Sequence, residues 1–303
     1  MIRHTGAVPR AGHGAAVVDG RPADGRMRRM RALAQRTFVT AVEREEAELE
    51  RRIRALGEVT RPNLVAVLSP RGGVGKTTGA VVVGTLLASH LKLRAVAVDA
   101  TGRFGTLGRL VPEARRCERS LADLLRDADR LHTAAQLRRY VCTLPCGLHV
   151  LASPRDLQTT AEIGPQRYGE LVALLSTFYE VVLLDLGPGL IGRLQRLAIE
   201  RADQLLLTTT PEWLSTPTLV AAFDELPAER TTVMVNKSHL RPADARTVEQ
   251  HVRGQHSHRA VTIPYDEQLA AMLDTCTYSL EALRRPSRVA IKRLGLAVAE
   301  RLV

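Results

Sequence analysis

Short apolar runs return along the chain at residues 63–69 (NLVAVLS), 94–99 (RAVAVD), 148–152 (LHVLA), 180–185 (EVVLLD), 203–209 (DQLLLTT), 231–236 (TTVMVN) and 259–263 (RAVTI). They are continuous rather than alternating, the pattern of strands buried on both faces. Segments with helical spacing separate most of them, at 76–91, 120–127, 166–178 and 214–225. The alternation predicts a doubly wound α/β domain over residues 62–303, with a mainly parallel seven- to eight-stranded sheet and helices on both faces. Ligands of such sheets bind at the carboxyl ends of the strands, so chemistry is sought where each run closes.

Upstream the pattern changes twice. Residues 1–25 are rich in Gly, Pro, Ala and Arg without periodicity, which predicts a disordered basic tail. From Arg26 to Leu56 apolar residues, among them Met27, Leu33, Leu49 and Ile53, fall largely at helical spacing, and Gly57 and Pro62 end the run. Residues 26–61 therefore read as an amphipathic helical arm that needs a surface, either its own domain or a partner. The final stretch, SRVAIKRLGLAVAERLV, is also amphipathic and reads as a last core helix rather than a membrane-targeting tail. No apolar stretch approaches the roughly 20 residues of a membrane span. The N-terminus lacks a compact apolar core of signal-peptide type, so a cytoplasmic protein is expected.

Composition changes the picture in one respect. With 43 basic and 32 acidic residues the net charge is +11, which fits affinity for polyanions. Residues 1–36 hold eight arginines against two acids, so this arm is a candidate contact for DNA or an acidic membrane surface. Only Lys76, Lys92, Lys237 and Lys292 are lysines, so a retained lysine stands out in an arginine-biased chain. Cys117, Cys142, Cys146 and Cys276 match neither a redox nor a zinc spacing and read as free thiols. His251, His256 and His258 have no carboxylate or cysteine at ligand spacing and read as solvated loop histidines.

The candidate chemistry lies between the first strand and the first helix, in LSPRGGVGKTTGA (68–80). Gly72, Gly73 and Gly75 let the backbone curl around an anion and turn its N–H groups inward. The helix start near Lys76 adds partial positive charge. Lys76 is placed to reach phosphates and Thr77 to offer its hydroxyl to Mg²⁺. The common G-x-x-x-x-G-K-T pattern asks for glycine at position 70, where this chain has Pro70.

RGGVGKTT resembles the deviant Walker A motif, K-G-G-x-G-K-T-T, of the ParA/MinD family of P-loop ATPases, and the similarity extends over about residues 62–303. It implies ATP and Mg²⁺ as cofactors, with Gly72, Gly73, Val74, Gly75, Lys76, Thr77 and Thr78 around the phosphates. The family's leading lysine, which reaches the partner subunit's nucleotide in a sandwich dimer, corresponds to Arg71. A guanidinium can grip phosphate bidentately but is longer and flatter than an ammonium. In AVAVDATGRFGTLG, Asp99 corresponds to the first aspartate of switch I, near the metal. The second aspartate, implicated in activating water, falls on Thr101, which cannot act as a base.

EVVLLDLGPG resembles the Walker B strand and switch II, with Asp185 at the metal alongside Thr77 and Asp99. Asn236 corresponds to an asparagine that meets the adenine edge, and Pro264 and Tyr265 to residues around the base; ordinary turn chemistry is the alternative for these three. The resemblance implies an ATP-dependent homodimerisation switch positioning or regulating a cellular assembly, such as DNA partition, division, a pilus or a secretion apparatus, through a protein activator or cargo. Thr101 makes weak ATP hydrolysis the expectation, and a nucleotide-binding but hydrolysis-poor landmark the alternative. The arm ahead of the P-loop also resembles MinD-like proteins that accompany type VII secretion in actinobacteria.

Overall fold

The computed structural model describes residues 41–303 apart from 102–104 and 215. The basic tail at 1–25 and residues 26–40 of the arm lie outside the described residues. Residues 44–303 form one compact unit, which carries the sheet.

Eight strands form one sheet: β1 (Asn63–Leu68), β2 (Ala95–Ala100), β3 (Cys142–Thr143), β4 (His149–Leu151), β5 (Val181–Leu186), β6 (Gln204–Thr209), β7 (Thr231–Ser238) and β8 (Arg259–Pro264). Their order is β3-β4-β2-β5-β1-β6-β7-β8. All neighbours run parallel except β3 and β4. The seven apolar runs are seven of these strands, and β1, β2, β5 and β6 are buried throughout. β3 is the strand the pattern did not foresee, a two-residue antiparallel edge too short to leave a periodicity. The chain leaves β1 toward β2 on one side and later crosses from β5 to β6 on the other. This change of direction opens a crevice at the end of β1.

Helix α1 occupies residues 44–54 of this unit. It is followed by α2 (Lys76–Ser89), α3 (Leu121–Arg126), α4 (Ala134–Leu137), α5 (Leu157–Glu162), α6 (Pro165–Ser176), α7 (Arg193–Arg201), α8 (Pro217–Glu225), α9 (Pro242–His256), α10 (Glu267–Asp274) and α11 (Arg285–Ala299). α2 is apolar nearly all round because it lies between the sheet and α11. Close approach there requires glycine: a Cβ on Gly84 would fall 2.6 Å from Leu148, and one on Gly295 would fall 2.7 Å from Leu86. The final stretch is a core helix, α11, with even Lys292 buried. α7 and α9 were not foreseen, because each is mostly polar and only Ala198 and Val252 are buried.

α1 is fastened to α11. Leu49 and Ile53 are buried, and Lys292 Nζ donates to Glu46 Oε1 at 2.9 Å and to Glu50 Oε1 at 2.6 Å. Arg288 also pairs with Glu46, and Arg293 bridges Glu45 to Glu249 on α9. The histidine expectation is corrected: His251 and His256 lie on α9 rather than in a loop. His258 is 1% exposed, contacting the carbonyls of His256 and Leu226, and both His256 and His258 lie against Phe223. The start of β8 carries His258 inward, so it is a packed histidine and not a solvated one.

Candidate functional site

The loop from Ser69 to Gly75 joins β1 to α2 in the crevice. Gly73 and Gly75 have φ of +80° and +98°, left-handed values that glycine adopts without strain. A Cβ on Gly75 would fall 2.1 Å from Asn236 Nδ2, so this glycine is also required for space. Three neighbours hold the curl. Asn236 Nδ2 donates to Val74 O at 3.0 Å, and Lys237 Nζ donates to Gly73 O at 2.8 Å. Gly189 N, from the turn after β5, donates to Ser69 O at 2.9 Å. Ser69 Oγ donates to Arg71 O at 2.6 Å and accepts from Lys76 Nζ at 2.9 Å.

Lys76 is buried at the start of α2, and that burial lowers its pKa, with the Asp185 charge opposing. Thr77 Oγ1 donates to Asp185 Oδ2 at 2.7 Å. The other oxygen, Asp185 Oδ1, is buried and has no hydrogen-bond partner. Burial raises the Asp185 carboxyl to about 7; the Asp99 charge pushes the same way, while Thr77 and Lys76 pull it down.

Asp99 stands opposite Asp185 in the β2–β5 register. Burial raises its pKa too, against the pull of its hydrogen bonds. Its Oδ1 accepts from Thr101 Oγ1 at 2.6 Å and its Oδ2 from Leu107 N at 3.1 Å. A Cβ on Gly105 would fall 2.3 Å from Asp99 Oδ2, so the loop wraps this carboxylate closely.

The structure thus brings Lys76, Thr77, Asp99 and Asp185 together. Arg71, Gly72 and Gly73 are exposed at the loop's outer side, Val74 is buried beneath it, and Thr78 is half-buried. Asn236 lies under the loop with its amide on Val74 O. Pro264 pairs with Ser238 at the neighbouring strand ends, and the ring of Tyr265 stacks on His239 at 4.6 Å.

Ser69, Lys237 and His239 were missed. The sequence did single out Lys237 as a retained lysine, but nothing placed it on Gly73 O, which it reaches from a left-handed backbone with φ of +54°. The donor set fits a Mg²⁺-bound phosphate chain. A glycine cradle and a buried ammonium suit the anion, and a hydroxyl beside an unpartnered carboxylate oxygen suits the cation. Among the described residues no group of three or more His, Cys, Asp and Glu side chains is gathered around a metal-sized site, so the cation would rest on the Asp185 and Asp99 carboxylates and the Thr77 hydroxyl.

Comparison with known proteins gives the same answer. The sequence profile of an AAA domain family matches residues 63–231, more than half of the chain. The ESX-1 secretion-associated protein EspI of Mycobacterium tuberculosis is 26% identical over 222 residues, which is 68% of this chain and 32% of that protein. The chain therefore spans about a third of the length of that relative. A ParA family ATPase from Chlorobium tepidum superposes with a TM-score of 0.62 at 21% identity, covering 77% of this chain and 98% of the other. The septum site-determining protein MinD of Pyrococcus horikoshii, solved with Mg-ADP, gives a TM-score of 0.58 at 17% identity, covering 77% and 94%. The curled loop over Lys76, the paired strand-end aspartates and the profile match converge: this chain belongs to the AAA domain family and, within it, to the ParA/MinD group of P-loop ATPases.

Proposed function

We propose that the chain is an ATP-dependent dimerisation switch. The loop amides and Lys76 receive the phosphates, and Thr77, Asp185 and Asp99 hold Mg²⁺, which neutralises phosphate charge when bound. Two copies close face to face, and Arg71 of each reaches the phosphates held by the other; its exposure at the start of the loop supports this role. The carrying observation is the Thr77–Asp185 pair, whose second carboxylate oxygen is buried without a partner near buried Lys76. Calorimetry with Mg²⁺-ATP, followed by light scattering of the loaded protein, should show binding and a dimer. Lys76→Ala should bind ATP about 100-fold more weakly and lose the dimer. No heat of association, or a strictly monomeric loaded protein, refutes the switch.

A second reading, a hydrolysis-poor landmark, is favoured by one observation. The Thr101 hydroxyl is committed to Asp99 at 2.6 Å, and no carboxylate stands at position 101 to orient water. Steady phosphate release that Lys76→Ala abolishes would exclude a pure scaffold. Similarity to a secretion-associated relative supports service to a secretion assembly. The basic arm would add attraction to a polyanionic surface, which truncation of residues 1–36 tests without disturbing the α1 contacts.

A further inference from the structure

A second cavity, of about 690 Å³, opens beside the carboxyl ends of β2 and β4, with Asp99 in its wall. Arg109, Arg116, Arg119 and Arg155 line it together with the hydroxyl-bearing Ser120 and Ser153. Four guanidinium groups face two carboxylates, Glu118 and the buried Asp99, so the balance is positive. Two of the arginines are held in place from outside. Arg116 Nε donates to Val111 O at 3.1 Å, which leaves its terminal nitrogens uncommitted among the described residues. Arg119 donates to Tyr140 Oη at 2.7 Å, lies over that ring and pairs with Asp127 at 3.8 Å, so its charge is partly met from outside the cavity. The side chains of Arg109 and Arg155 have no hydrogen bond or ion pair among the described residues. No aromatic ring or large aliphatic side chain is part of the described lining.

We propose that this cavity is a second anion site, distinct from the nucleotide loop, taking an oligophosphate group of two or three linked phosphates, free or carried on a small molecule. The volume is that of a small-ligand site. A docked protein segment needs apolar anchors, which the described lining does not offer. Guanidinium forks match phosphate oxygens bidentately, and arginines already fixed by Val111 and Tyr140 lose less freedom on binding.

The site is also wired to the nucleotide loop. Arg109 belongs to the turn Leu107–Leu110, and Leu107 N holds Asp99 Oδ2 at 3.1 Å. An anion that draws Arg109 inward steadies that turn and Asp99 with it. Nucleotide and oligophosphate then change each other's affinity by the same factor.

The test uses the full chain with excess Mg²⁺ and saturating ADP, titrated calorimetrically with inorganic tripolyphosphate. A binding event is expected. It should weaken at least about tenfold in Arg109→Gln/Arg155→Gln, through the loss of charge-assisted hydrogen bonds, while ADP binding persists. It should survive in Lys76→Ala, which separates this site from the nucleotide loop and from the function proposed above. The proposal is overturned if tripolyphosphate does not bind, if the double variant binds it equally, or if Lys76→Ala abolishes the event. A hexaglutamate peptide binding as tightly would overturn the assignment to phosphate.

Discussion

Lys76 and Lys292 are both buried lysines in a chain that holds only four, and their surroundings are opposite. Lys292 has Glu46 at 2.9 Å and Glu50 at 2.6 Å, and Arg288 shares Glu46. Burial works against its charge, but hydrogen bonds to Glu50 and Glu46 hold its pKa above the ordinary lysine value. Glu46 is pulled down to about 2, most strongly by the Arg288 hydrogen bond, with burial opposing and Lys292 adding to the pull. Lys76 has a neutral hydroxyl at 2.9 Å, and burial pushes its pKa below the ordinary value with only Asp185 resisting. A buried charge matched by carboxylates is a clasp between helices. A buried charge matched only by a hydroxyl is incomplete, and an anion completes it.

Removing the clasped amine should have the largest effect on the protein. Lys292→Ala strips cations from Glu46 and Glu50 and leaves a space in α11, at a cost of about 3–5 kcal/mol of unfolding free energy in urea titrations. Nucleotide affinity of the folded fraction should not change. An equal loss of stability in Lys76→Ala would erase the distinction between the two lysines.

Glu46 sharpens the comparison through pH. Its folded pKa of about 2 lies below the ordinary 4.5, so between those values the unfolded chain binds more protons. Its stabilisation is therefore complete above about pH 4.5 and is lost as pH falls toward 2. The shift corresponds to about 3 kcal/mol, and Glu46→Gln should lose that amount at neutral pH and flatten the acid limb of the stability profile. An acid limb unchanged in Glu46→Gln would assign acid sensitivity to other carboxylates.

Lys76→Ala should leave stability within about 1 kcal/mol of the parent, because it removes a buried charge that has no carboxylate bonded to it. ATP affinity, measured by calorimetry, should fall about 100-fold, equivalent to about 2.7 kcal/mol. Retained affinity would make the amide cradle sufficient and Lys76 dispensable.

The two lysines were not equally legible in the sequence. Lys76 ends a glycine-rich turn between an apolar strand and a helix, so its whole context lies within about a dozen residues. Lys292 stood out only by rarity, since its partners Glu46 and Glu50 lie more than 240 residues away and meet it only after α1 folds back onto α11. The continuous runs at β1, β5, β6 and β7 were readable because both faces are buried, whereas α7 and α9 bury too little to leave a pattern. Ser69 and Lys237 were hidden for another reason. Their roles are hydrogen bonds to a loop whose path exists only when β7 lies beside β6 and the turn after β5 meets Ser69. The arginine-lined cavity was equally hidden, because separate loops from 109 to 155 supply its wall.

The smallest effect concerns the neighbouring carboxylate. Thr101 holds Asp99 by its hydroxyl at 2.6 Å and its amide at 3.3 Å, so the residue now acts as a positioner. Thr101→Asp restores an anionic group at a position where the resemblance implies that water is oriented. It should raise ATP turnover about tenfold, equivalent to about 1.4 kcal/mol of barrier, with ATP affinity nearly unchanged. The same substitution places a second carboxylate beside Asp99, whose pKa burial already raises, so stability should fall modestly as the two charges repel. Thr101→Val separates the contributions: it deletes the hydroxyl without adding an anion and should lower stability slightly with no gain in turnover. A rise in phosphate release in both variants would mean that the Thr101 hydrogen bond on Asp99, not the lack of a second carboxylate, is what restrains hydrolysis. A rise in neither would place the restraint away from Thr101, at Arg71 or in the closing of the proposed dimer.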